Sequence, residues 1–113
     1  MDEAAGDWRV SPATKAMAQV VYSARSLVHV QRAFQFLRDK NPAAARDAVT
    51  AIQSAVDNLA AHPLVGPRIE AEVRELVISY GQTGYVALYR FVVPRNEVRI
   101  LAIRHQRELG FQP

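Results

Sequence analysis

Near its carboxyl end the chain reads ILAIRHQRELG, which sets Arg104, His105 and Arg107 almost side by side. An imidazole beside guanidinium groups is the equipment of phosphodiester cleavage. A base takes the proton of an attacking 2′-hydroxyl, an acid returns one to the leaving oxygen, and fixed positive charge holds the developing phosphorane. His105 suits the first or second role and Arg107 the third. Upstream, Tyr80, Tyr85 and Tyr89 carry rings on which a base can stack. The bland alternative is equally concrete. Arg104 and Arg107 are then solvated or paired with acidic groups of a partner, and His105 orders the end of a strand.

A second set is Arg74, Arg90 and Arg99. These form either a basic groove across adjacent strands or, with Glu75 reaching Arg90 or Arg99, exposed ion pairs worth under about 1 kcal/mol. His29 and His62 stand apart from any Asp/Glu/His cluster at ligand spacing, so no metal site is expected. His62 precedes Pro63 at a helix end, where partial positive charge is favourable. The chain has no cysteine, which removes disulfides, thiolate metal sites and cysteine nucleophiles together. It also has no P-loop and no dinucleotide fingerprint.

The elements that must position these groups can be read from periodicity. VRELVIS (73–79) alternates at strand length, YGQTG is a turn, and YVALYRFVV (85–93) is rich in β-branched and aromatic residues. PRNE is the next turn, with Asn96 able to take a tight backbone conformation, and VRILAIR (98–104) alternates again. This is an antiparallel meander. AQVVYS (18–23) is a first strand ending in Ser23, a good helix N-cap. From Ala24 to Lys40 the period turns helical, with Leu27, Val30, Phe34 and Leu37 on one stripe and Val28 and Phe36 off it. Asn41-Pro42 breaks the pattern and restarts a second helix to about Ala61, carrying Val49, Ile52, Val56 and Leu59 among many alanines. HPLVGPR (62–68) is a loop. The expected fold is α+β, in two layers: an N-terminal strand, then an antiparallel helical hairpin packed on an antiparallel sheet, in the order β-α-α-β-β-β.

The chain has 113 residues, enough for one core, and is half hydrophobic. No apolar run approaches the roughly 20 residues of a membrane helix. Residues 1–16 show no sustained period and read as a flexible leader, with Trp8 its one large apolar group. The folded domain is expected over 17–113. A net charge of +3 with pI near 9.7 suits an anionic partner, nucleic acid or acidic protein. The positive charge is nearly all arginine, since only Lys15 and Lys40 are lysines. Arginine's planar fork suits carboxylate and phosphate, although codon bias explains the same preference.

Taken in order, VVYSARSLVHVQRAFQFL, NPAAARDAV, LAAHPLVGPR, VRELVI, GYVALYRF and VRILAIRHQRE resemble the RelE/ParE superfamily of toxins from type II toxin–antitoxin systems. The resemblance implies a small cytoplasmic toxin held inactive by a cognate ParD-like antitoxin, touching DNA only through the antitoxin complex. RelE-like members are similar to ribosome-dependent mRNA endoribonucleases, and ParE-like members are associated with inhibition of DNA gyrase. The alanine-rich hairpin and the HPLVG and VRELV segments resemble the ParE branch more. Val86 stands where the RNase pattern has an arginine, Glu75 and Val77 or their neighbours replace its paired lysines, and the tail ELGFQP carries no tyrosine. Arg107 does match a catalytic arginine of that pattern, and His29 stands where an aspartate is usual. The expected function is therefore gyrase inhibition by binding, with no cofactor. A RelE-like ribonuclease using His105 and Arg107 is the alternative, and a degenerate non-toxic binding module a third reading. Arg74, Arg90, Arg99, Arg104, Tyr80, Tyr85, Val28 and Phe36 are the expected contacts with target or antitoxin, Val28 and Phe36 either as seats for an amphipathic antitoxin helix or, equally, as part of a thicker core or a homodimer contact.

Overall fold

A computed structural model describes residues 17–113. The leader and Trp8 lie outside the described residues. The elements in chain order are β1 (Gln19–Tyr22), α1 (Ala24–Arg38), α2 (Pro42–Asp57), β2 (Arg68–Glu70), β3 (Val73–Tyr80), β4 (Thr83–Val92) and β5 (Glu97–His105). The five strands make one sheet in the order β1-β5-β4-β3-β2, with the two helices covering one face.

Local chemistry fixes the boundaries. Ser23 Oγ accepts the Ser26 N–H at 3.0 Å and starts α1. Asn41 Oδ1 accepts the N–H groups of Ala43 and Ala44, at 3.1 and 3.2 Å, and Pro42 fills the first helical position, so α2 begins at once after the break. Asn96 takes the left-handed conformation, φ 48°, in the turn between β4 and β5.

The expected two-layer α+β arrangement is present, with three additions. The sheet is mixed, because β1 lies parallel to β5 while the other neighbours are antiparallel. A short strand, β2, follows the proline-rich loop, turning into β3 through Ala71 at φ 49°. Three residues are too few to show alternation, which is why the sequence gives no sign of it. The stripe of α1 is also rotated from expectation. Ser26 and His29 are buried there, with Val30, Ala33 and Leu37 against the core, while Leu27 is half-exposed. On α2 the buried positions are Ala45, Ala48, Ile52 and Val56, where the alanines admit a close neighbour. Tyr89, Ile78, Val98 and Ile100 from the sheet complete the core with Leu59, which sits on a turn of 3-10 helix after α2.

Candidate functional site

β1 pairs with β5 only as far as Tyr22 opposite Ile100. Beyond that point the β5 edge needs other partners, because unpaired buried backbone groups are costly. Ser23 supplies two, its N–H donating to Ile100 O at 2.9 Å and its hydroxyl to Leu101 O at 3.1 Å. His29 supplies the next: the Ile103 N–H donates to His29 Nδ1 at 2.8 Å. An amide N–H only donates, so Nδ1 is the unprotonated nitrogen, and Nε2–H donates to Gln112 O at 2.7 Å. Arg25 Nε donates to the same carbonyl at 2.8 Å. The carboxyl-terminal segment is thus bound by its main chain to the first turns of α1.

Periodicity alone assigns His29 no role. Its signal is nonetheless present, for Ser26 and His29 are polar residues three apart on the buried stripe of α1. Buried polar groups need partners: Ser26 Oγ donates to Ser23 O at the start of its own helix at 2.9 Å, and His29 serves β5.

His105, Arg104 and Arg107 do converge, around a cleft of about 640 Å³. Arg32, Ala33 and Phe36 of α1 form one wall, Tyr85 and Ile103 the floor, and Arg107, Glu108 and Gln112 the outer rim. His105 has both ring nitrogens engaged. Nδ1 accepts the Arg107 N–H at 3.1 Å, and Nε2 lies 2.9 Å from Thr83 Oγ1. Its ring also meets Tyr85 edge to face, centroids 5.3 Å apart. Arg104 turns into the tail: one nitrogen donates to the carbonyls of His105, Gln106 and Glu108, and the guanidinium lies 5.1 Å from the Phe111 ring centre. Arg107 is exposed, and its side chain makes no hydrogen bond or ion pair among the described residues. Phe36 is 63 % exposed at the mouth, with Lys40 Nζ 5.0 Å from its ring centre. Val28 is exposed on the same helix and does not line the cleft.

The face of the sheet away from the helices has a different character. Val77 pairs directly with Val86, and Glu75 with Leu88. The positions that the RNase pattern fills with cations therefore meet as an apolar pair flanked by a carboxylate. Arg90 sits opposite Arg99, a like-charge pair, and the carboxylate nearest Arg99 is Glu97 of its own strand at 3.5 Å, with Glu75 outside contact. The expected basic groove loses a member here, because Arg74 points to the other side. It pairs with Tyr89 across the strands and donates to Leu64 O and Gly66 O at 3.0 and 2.7 Å. Tyr89, fully buried, accepts the Gly66 N–H at 2.9 Å on its phenol oxygen. Burial raises the Tyr89 phenol above its ordinary range, opposed by that bond and by Arg74.

The tyrosines are not open platforms for a base. Tyr80 donates its hydroxyl to Ala44 O at 3.0 Å, binding β3 to α2. Tyr85 is only 5 % exposed, and burial, then Tyr80 and Glu108, push its phenol up. Among the described residues no three His, Asp or Glu side chains gather as a metal site would require. None of the described helices is long and apolar enough to cross a membrane.

Comparison with known proteins agrees with this architecture. The model of the ParE toxin of the type II toxin–antitoxin system parDE matches residues 20–110. A relative from Caulobacter vibrioides named Toxin RelE3 is 39 % identical over 84 residues, 74 % of this chain and 86 % of the relative. A solved structure described as the chromosomal ParDE TA system from P. aeruginosa superposes with a TM-score of 0.66, covering 80 % of this chain and 97 % of that one, at 21 % identity. That last likeness is one of fold. The family match spans both the helical hairpin and the strands that build the cleft, and the chain belongs to the ParE toxin family of type II toxin–antitoxin systems, within the RelE/ParE superfamily.

Proposed function

We propose that this toxin acts in the cytoplasm by binding DNA gyrase rather than by cutting RNA, and that a ParD-like antitoxin neutralises it. The observation that carries the choice of target is the Val77–Val86 pair. An RNA-cleaving face needs fixed cations where phosphorane charge develops, and a directly opposed pair of valines supplies none. His105 supports the same reading, since each ring nitrogen already holds a partner within the fold.

The cleft supports an antitoxin contact. It combines an exposed aromatic ring, Phe36, with the guanidinium groups of Arg32 and Arg107. An amphipathic segment with an apolar anchor and acidic flanks fits that combination. The curated relative's RelE name is no more than a name, and the competing ribonuclease reading rests on His105 and Arg107 alone.

Purified protein added to a gyrase supercoiling assay is expected to block supercoiling, while leaving ribosome-bound mRNA uncut. Ribosome-dependent cleavage that disappears in His105→Ala or Arg107→Ala, with antitoxin binding retained, would overturn the gyrase reading. An induced culture that keeps growing points instead to a non-toxic binding module.

A further inference from the structure

The cleft carries more positive charge than its own fold uses. Its outer rim is a strap, residues 107–112, that contributes no strand or helix. Arg107 of the strap and Arg32 of α1 are exposed, and neither side chain makes a hydrogen bond or ion pair among the described residues. Lys40 stands at the mouth, its Nζ 5.0 Å from the centre of the Phe36 ring. Glu108 is the one carboxylate lining the cleft, and it already accepts the His105 N–H at 2.7 Å. The opposite face of the sheet differs, for there Arg90 and Arg99 are accompanied by Glu75 and Glu97.

A segment of matching chemistry lies in the same chain. Residues 2–8 read DEAAGDW, with the carboxylates of Asp2, Glu3 and Asp7, no cation, and the one tryptophan of the protein. Arg9 and Lys15 follow on the stretch that leads to the fold. That stretch joins the fold at Met17, whose carbonyl accepts an Asn96 Nδ2–H at 3.1 Å. The distance to the cleft follows from the strand register. Gln19 lies opposite Glu97, and Ile103 on the cleft floor is six residues farther along β5, or about 20 Å of strand. Trp8 precedes Met17 by nine residues, and an extended chain of that length spans about 30 Å. The indole therefore reaches the cleft, and the three carboxylates arrive with it.

We propose that residues 2–8 dock in the cleft of their own chain, with Trp8 against Phe36 and the carboxylates of Asp2, Glu3 and Asp7 toward Arg32, Arg107 and Lys40. Two aromatic rings attract edge to face or offset, and a cation beside an indole adds to the contact. The tether makes the encounter intramolecular, so a contact too weak to form between separate molecules becomes populated. The leader is then a built-in competitor for the antitoxin segment. That consequence rests on the cleft being the antitoxin contact, whereas the docking itself does not.

The test is Trp8 fluorescence of the full chain, which no second indole obscures. Trp8 is expected to emit at shorter wavelength than in the urea-unfolded chain and to be shielded from acrylamide. The shielding should weaken as salt rises from about 0.01 M to about 1 M, which shortens the Debye length from about 30 Å to about 3 Å. Arg32→Glu/Arg107→Glu should keep the wild-type circular dichroism and lose the shielding. Adding Asp2→Lys, Glu3→Lys and Asp7→Lys to that double variant should restore it. Trp8 quenched as freely in the folded chain as in urea would overturn the proposal. So would shielding that survives Arg32→Glu/Arg107→Glu, since Trp8 then sits elsewhere, or shielding that fades on dilution, since the cleft then belongs to a second copy. Neither target nor antitoxin is present in the experiment, so its failure is distinct from a failure of the functional reading.

Discussion

The two ends of the β3–β4–β5 meander handle polar groups in opposite ways. At one end, Tyr89 and Arg74 reach out of the sheet and bind the 62–67 loop at Gly66 and Leu64, in a tightly packed contact. At the other end, His29, His105, Arg25 and Arg104 grip a strap through main-chain carbonyls and amides, and a cleft of about 640 Å³ remains behind it. The first arrangement fixes a loop that is also tied to β3 by the Glu75 N–H, which donates to Pro67 O at 3.0 Å. The second keeps a cavity whose rim depends on a few hydrogen bonds. Substitutions at the locked end should therefore change stability, and those at the cleft end should change binding.

The largest effect is expected at Gly66. A Cβ there would lie 2.5 Å from Glu75 O and 2.9 Å from the Tyr89 ring, contacts that only backbone movement relieves. Gly66→Ala should cost about 3 kcal/mol and lower Tm by more than about 10 °C in thermal unfolding followed by circular dichroism. A variant that melts with the wild type would remove the claim that this end is locked.

Tyr89→Phe comes next. It leaves the buried Gly66 N–H without an acceptor, at a cost of about 2 kcal/mol. It also carries a pH signature. Because burial raises the folded phenol, Tyr89 contributes fully below about pH 10 and its contribution is lost as pH climbs through the raised value. Urea unfolding between pH 8 and pH 11 should show a shallower alkaline loss in the variant than in the wild type. Tyr22 and Tyr85, also raised by burial, keep part of that loss in both proteins.

At the cleft end, Phe36→Ala should leave Tm within a degree or two and weaken antitoxin binding about tenfold, or ~1.4 kcal/mol, by calorimetric titration. Unchanged affinity would move the antitoxin contact away from the cleft. The smallest effect belongs to Arg90→Ala. Removing one member of the Arg90–Arg99 pair should change stability by no more than about 0.5 kcal/mol, with a slight gain at low salt. A clear loss in urea unfolding would mean that Arg90 is engaged by a group other than its cross-strand neighbour.

Much of this was legible before any coordinates, because the features concerned are local. Ser23 and Asn41-Pro42 set the starts of the helices by capping chemistry that reads only a few residues ahead. Alternation marked β3 and β5, β-branched and aromatic composition marked β4, and Asn96 marked their last turn. The convergence of His105, Arg104 and Arg107 followed from their proximity in the chain. The α1 stripe was misplaced because Leu27 is apolar and His29 polar, and periodicity weighs only that. Burial instead followed hydrogen bonding, since His29 satisfies an Ile103 amide that β1 is too short to reach.

By itself, then, the sequence determined the elements apart from β2, their order and the family to which the toxin belongs. Tertiary structure decided which face each side chain serves. Arg74 and Arg90 are equivalent in type, yet alternation along paired strands sends one to the loop and the other to the far face. It also decided that His105 and His29 hold a strap between them, because they lie far apart in the chain and meet its two ends only through the β5 edge. Local patterns travel with the chain, whereas the partner of a polar side chain is set by whichever distant backbone group the packing leaves unpaired.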